Sequence, residues 1–209
     1  MPGQVQIRRV WKPLAHVACA LPLAVLLLEL LAVGPFRIGP NPALAIRDTL
    51  GTWGLRLLLA TLAMTPLRLA TGQAWPLAFR RLLGLWSFAY VLLHFVTYFV
   101  LDRGIELGII LEDVAKRPYI TIGTAAFLLM VPLAVTSTAG WRRRLGPRWT
   151  RLHRLVYPVA ILACWHYYWL VKRDVREPLL YVTVLLMLLG WRLVARRAAR
   201  RTAPAARPD

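Results

Sequence analysis

The sequence predicts an all-α, polytopic membrane protein: a bundle of six transmembrane helices with both termini in the cytoplasm. Three observations predict it. The chain of 209 residues is 58% hydrophobic, with a mean hydropathy of +0.54, above the 45–50% apolar content usual for soluble domains. Its apolar residues gather into six runs, each close to the ~20 residues a helix needs to cross the hydrocarbon. Its formal charge of +18 falls almost entirely between those runs.

The first run, 14–33, follows "RRVWKP". That start is too polar and aromatic, and "AVGPF" too poor a cleavage site, for a signal peptide, so the run is expected to stay as a span. Runs 52–70, 82–101, 119–138, 152–171 and 178–195 follow. Residues 1–13 form the N-terminus, 14–195 the transmembrane domain, and 196–209 a basic tail without a fold of its own. The segments "GPFRIGPNPALAIRDTLG", "LDRGIELGIILEDVAKRP" and "VKRDVREP" read as loops.

Alternating helices divide the charges unevenly. One side receives the N-terminus, the 2–3 loop with Arg68, Arg80 and Arg81, the 4–5 loop "WRRRLGPRWTRLHR" and the tail: eighteen basic residues against one acid, Asp209. The other holds eight basic residues against seven acids. The positive-inside rule places the basic side in the cytoplasm. It also excludes a nucleic-acid reading, because these arginines sit in short juxtamembrane loops where topology and anionic lipid account for them. No Gly-rich phosphate loop, soluble domain, internal repeat, or acid–base or nucleophilic catalytic set is apparent. Cys19 and Cys164 lack CxxC spacing and read as small apolar fillers. Trp53, Trp75, Trp141, Trp149 and Trp191 read as an aromatic belt, and Glu29 as an interfacial carboxylate.

Chemistry is therefore expected between the helices, where four histidines lie. A single membrane histidine is adequately explained by a hydrogen bond across the bundle, but depth distinguishes two of them. His94 lies thirteen residues inside Arg81 and His166 fifteen inside Arg151, ~20 and ~22 Å along their helices. Two imidazoles on different helices at one depth are what a bis-histidine b-type haem requires. Gly84, Ser87 and His94 share one stripe of helix 3, giving a flat ring room to approach. Trp165, Tyr167, Tyr168 and Trp169 crowd His166, either walling a haem edge or meeting the interface.

His153 lies one turn inside the opposite end of its helix, ~140° out of phase with His166, with Pro158 between them to kink or re-phase the helix. It reads equally as an interfacial histidine or a ligand. His16 is its depth-matched partner for a second haem. Arg80 and Arg81 can hold haem propionates or a flavin phosphate, although topology explains them as well.

The ordered segments "NPALAIRDTLGTWGLRLLLATLAMTPLR", "RRLLGLWSFAYVLLH", "RPYITIG", "LAVTS" and "RWTRLHRLVYPVAILACWHY" resemble the MsrQ family of haem-binding membrane subunits, within the ferric-reductase-like transmembrane proteins. The resemblance covers residues 14–195. It implies b-type haem, FMN as a further cofactor, a location in the bacterial inner membrane, and electron transfer from the quinone pool or a cytosolic flavin reductase. The acceptor it implies is a periplasmic molybdopterin methionine sulfoxide reductase, MsrP, which repairs oxidised envelope proteins. By position, His94, His153 and His166 match the family's haem histidines, and His16 a histidine on its first helix. The wider oxidase relatives carry a second histidine fourteen residues before the one matched by His94. Here that position is Arg80. Their fused flavin and nicotinamide domain is also lacking, so electrons must come from a separate donor. A stand-alone ferric reductase or oxidase-like haem protein is the alternative.

Overall fold

A computed structural model of the chain describes residues 3–102, 104 and 106–201. Among these no strand occurs, and five helices are long and apolar enough to cross a bilayer. The spanning helices are α1 (Gln4–Leu30), α2 (Pro42–Thr71), α3 (Leu77–Leu101), α5 (Pro118–Val135) and α9, whose apolar stretch is Arg176–Ala195. α9 itself continues to Arg201, past the predicted start of the tail, and residues 202–209 lie outside the described residues. Shorter helices are α4 (Leu107–Lys116), α6 (Ala139–Leu145), α7 (Pro147–Leu152) and α8 (Val156–Leu170).

The predicted fifth span, 152–171, differs from expectation. It is α8, fifteen residues long, joined to α7 through a 3-10 turn at His153–Leu155. Pro158 explains the break. It has no N–H for the carbonyl of Arg154, and its ring crowds that carbonyl, so the chain tightens by one turn before α8 begins. Two predicted loops are partly helical. α2 starts ten residues earlier than expected, because the Asn41 side chain accepts from the Leu44 N–H at 3.1 Å and Pro42 opens the helix, a combination that favours a start there. It ends at Gly72, whose φ of 65° suits glycine.

α4 lies in the second predicted loop and is pinned to its neighbours by Asp113. The carboxylate accepts from the Tyr98 hydroxyl at 2.7 Å and pairs with Arg117 at 2.9 Å. Outside the spans, the Tyr119 phenol and then the Asp113 carboxylate push the Arg117 guanidinium above its ordinary value. α6 is capped by the Thr138 hydroxyl, and Gly146, at φ 48°, turns the chain into α7.

α2 is the central helix. Half of its spanning window is buried, against 11–22% in the other spans, yet its hydropathy is the lowest of the five. In lipid, burial does not require extra apolarity, because tails are as apolar as leucine. Leu55, Leu58, Leu59 and Leu62 of α2 meet Met130 of α5, Val156, Val159, Ala160 and Cys164 of α8, and Tyr181 and Leu185 of α9. Leu50 and Leu57, on another face, meet Cys19 and Leu26 of α1 and Leu82 and Tyr90 of α3. The two closest-packed helix pairs are α2 with α3 and α5 with α8.

Close approach of α2 and α3 depends on Gly54, where a Cβ would stand 2.7 Å from the Val91 side chain. The buried Ser87 hydroxyl donates to the Gly54 carbonyl at 2.8 Å. Ser87 is thus engaged in helix packing, whereas the sequence placed it beside a cofactor. Cys19 and Cys164 are buried in separate clusters.

Candidate bis-histidine centre

α3 and α8 bring His94 and His166 together. Their ring centroids are 6.3 Å apart and their planes cross at 80°. Two imidazoles binding one metal end-on, each at about 2 Å, hold their centroids about 6.3 Å apart. The spacing therefore fits an iron between them.

Each ring is oriented in the same way. Nδ1 of His94 lies 2.9 Å from the carbonyl of Arg47, and Nδ1 of His166 lies 2.7 Å from the carbonyl of Tyr119. A carbonyl only accepts, so Nδ1 carries the proton in both rings, which puts the lone pair on Nε2. That tautomer suits metal ligation, and the hydrogen bond makes the ring a better donor. One helical turn beyond each carbonyl stands a glycine. A Cβ on Gly51 would lie 3.0 Å from Nδ1 and 3.1 Å from Cε1 of His94, and a Cβ on Gly123 would lie 2.8 Å from both atoms of His166. The missing side chains let each imidazole rest against the opposing helix.

The parallel extends to a short match in the sequence. Each histidine lies 47 residues after its carbonyl partner. The glycines sit in matching tetrads, Thr49-Leu50-Gly51-Thr52 and Thr121-Ile122-Gly123-Thr124. The centre is built from two copies of one device, each pairing a helix that carries a T-x-G-T turn within its first three turns with a helix that carries a histidine near its end.

Between α3 and α5, Phe127 stacks on Phe95 at 4.3 Å and lies parallel to Phe88 at 6.1 Å. Trp165 and Trp169 are about half exposed and contact each other at 5.5 Å, so they belong to the outer surface. Tyr167 donates to Glu177 at 2.9 Å, and the same carboxylate accepts from Tyr181 at 3.1 Å and pairs with Arg56 at 3.4 Å.

The other predicted site residues lie toward the opposite end. Arg80, Arg81, Gly84 and His153 line one cavity of about 280 Å³, floored by Leu58, Phe88 and Val159. Ser87 does not line it. His153 Nε2 is 3.1 Å from the Thr136 hydroxyl, and Trp149 stacks on its ring at 3.9 Å while donating its indole N–H to the Thr136 carbonyl. Trp149 is thus a partner of His153 and not a belt residue. His16 faces elsewhere: its Nδ1 accepts from the Trp86 indole at 2.9 Å. The structure does not bring His16 and His153 together.

Residues 50–164 match the family described as the ferric reductase like transmembrane component. A protein of Xanthomonas axonopodis pv. citri is 50% identical over 195 residues, covering 91% of this chain and 89% of its own length. It carries the name protein-methionine-sulfoxide reductase heme-binding subunit MsrQ.

The chain belongs to the MsrQ family of ferric-reductase-like transmembrane proteins.

An MsrQ of Rhodospirillum rubrum is 52% identical over 166 residues, covering 79% of this chain and 80% of its own. No solved structure matches. The region matched as ferric-reductase-like runs from the start of the buried part of α2 to Cys164. It encloses Gly51, His94, Gly123 and the His153 cavity, and this MsrQ family member is a multi-pass membrane protein by its helices and its family.

Proposed function

We propose that the chain is the haem-binding electron-transfer subunit of a methionine sulfoxide reductase system, with one b-type haem held by His94 and His166. The observation that carries the reading is the 6.3 Å separation of the two imidazoles, each with its Nδ1 on a backbone carbonyl. Haem would supply the one-electron redox chemistry, and the protein binding, orientation and electrostatics. His94 and His166 would hold the haem iron through Nε2, and the carbonyls of Arg47 and Tyr119 hold their tautomers.

The bundle is oriented in the bacterial inner membrane with both termini cytoplasmic and six crossings, α7 and α8 with their 3-10 turn completing the fifth. The His94–His166 pair then lies toward the periplasm. The cavity of Arg80, Arg81, Gly84 and His153 lies toward the cytoplasm, its cations suited to the anionic end of a second redox group, haem or FMN. Electrons enter from the quinone pool or a flavin reductase and leave to a periplasmic molybdopterin reductase of the MsrP kind.

The test is a dithionite-reduced minus oxidised spectrum of the purified chain and its variants. Wild type should show a low-spin b-type spectrum, and His94→Ala and His166→Ala should each lose it. Full low-spin haem in both variants would remove the proposed pair.

A further inference from the structure

At the end of the bundle away from the histidine pair lies a second cavity, of about 380 Å³, between α2, α3, α8 and α9. Arg80, Arg154 and Arg192 line it and no acidic residue does. Arg192 is only 7% exposed. Its guanidinium is aimed by the Tyr157 hydroxyl at 2.6 Å and the Leu62 carbonyl at 2.5 Å, and lies 5.3 Å from the centre of the Tyr157 ring. Thr65, also in the lining, has a buried hydroxyl oxygen with no hydrogen-bond partner among the described residues. Buried hydroxyls are rarely left so.

We propose that this cavity binds the phosphate headgroup of an anionic phospholipid. Guanidinium groups are matched to phosphate oxygens in charge and in planar, two-pronged geometry, and a phosphate oxygen would satisfy the Thr65 hydroxyl. The lining itself favours lipid over a soluble anion. Leu69 belongs to it and is 52% exposed on the outside of α2, so the cavity wall continues onto the surface that acyl chains cover. A phosphate held among the arginines and a tail laid along Leu69 is the geometry of a headgroup pocket between helices. The cavity shares Arg80, Trp149 and His153 with the one proposed for a redox group, whereas Thr65, Arg154 and Arg192 line this one and not the other, so the variants that test the lipid site lie outside that reading.

The experiment quantifies phosphatidylglycerol, cardiolipin and phosphatidylethanolamine retained per chain after detergent purification, by mass spectrometry, in wild type, Arg154→Gln, Thr65→Val and Arg143→Gln. Arg154 and Arg143 are both exposed, so these two variants should fold, and only Arg154 lines the cavity. Wild type should be enriched in anionic lipid over the zwitterionic one. Arg154→Gln should retain about fivefold less of it, Thr65→Val less than wild type, and Arg143→Gln as much as wild type, with haem content unchanged throughout. Equal retention by wild type and Arg154→Gln would overturn the proposal, as would an equal loss in Arg143→Gln, which would mean a diffuse charge effect. So would delipidated protein stabilised against heat as much by inorganic phosphate or FMN as by phosphatidylglycerol, since the site would then serve a soluble phosphate.

Discussion

The Cβ that Gly123 lacks would stand 2.8 Å from both Nδ1 and Cε1 of His166. Nothing flexible lies between them: the ring is held to the Tyr119 carbonyl of the same helix. Gly123→Ala should therefore push the imidazole off its carbonyl, an overpacking worth about 1–3 kcal/mol. Gly51→Ala, with 3.0 Å to His94, should do the same more mildly. The expected outcome is reduced haem content and a shift from low to high spin, greater for Gly123, read by optical and electron paramagnetic resonance spectra. Gly190→Ala is the contrast. Nothing stands within 4 Å of that position, so the gain in helix propensity, up to about 1 kcal/mol, should raise the thermal midpoint without touching the spectrum.

Asp113 and Glu112 are neighbours on α4 with unequal weight. The Asp113 side chain is 10% exposed and serves Tyr98 and Arg117. The Glu112–Lys116 pair is open to solvent, at 58% and 72% exposure. Asp113→Ala should cost about 2 kcal/mol through lost charge-assisted hydrogen bonds, and Glu112→Ala under about 0.5 kcal/mol. Thermal unfolding in detergent compares them, and equal effects would mean that α4 is not pinned by the aspartate.

Pro158→Ala should restore the donor that the Arg154 carbonyl lacks and let the 3-10 turn at His153–Leu155 relax into α-helix. His153 would then rotate away from Thr136. Cysteines placed at 136 and 153 should be bridged by a short bis-maleimide reagent readily in the parent and poorly in the Pro158→Ala background.

His16→Phe should leave the haem spectrum unchanged, because the ring serves Trp86. Tyr90→Phe, which removes a 2.7 Å bond to the Cys19 carbonyl, should loosen α1 at a cost of about 1 kcal/mol with the same spectrum. Loss of haem in either variant would mean that α1 takes part in the centre.

Depth made the His94–His166 pairing legible from the chain alone, since rise per residue is fixed and the arginines mark where each helix enters. What the sequence concealed was orientation. Nothing in "TLGT" or "TIGT" announces that a carbonyl one turn earlier will receive an imidazole 47 residues later, although the two tetrads were there to be aligned. α4 was missed for a different reason: a ten-residue amphipathic segment between spans looks like loop until Asp113 is seen to face inward. Hydropathy gave the fifth span as one unbroken run, and Pro158 marked where it would bend; what neither disclosed was that the chain would tighten into a 3-10 turn at His153–Leu155.

The duplicated T-x-G-T and histidine device divides the work between the two halves of the chain. The first hairpin, α2 with α3, holds one imidazole, and the second, α5 with α8, holds the other. Neither half could retain on its own a group that needs both. With the haem held as proposed, loading would wait until the second half has been synthesised and has docked. Once bound, the group would draw folding toward the assembled bundle by mass action, so that a cell short of that group would accumulate the protein as two hairpins loosely joined, open to proteolysis at the connection between them.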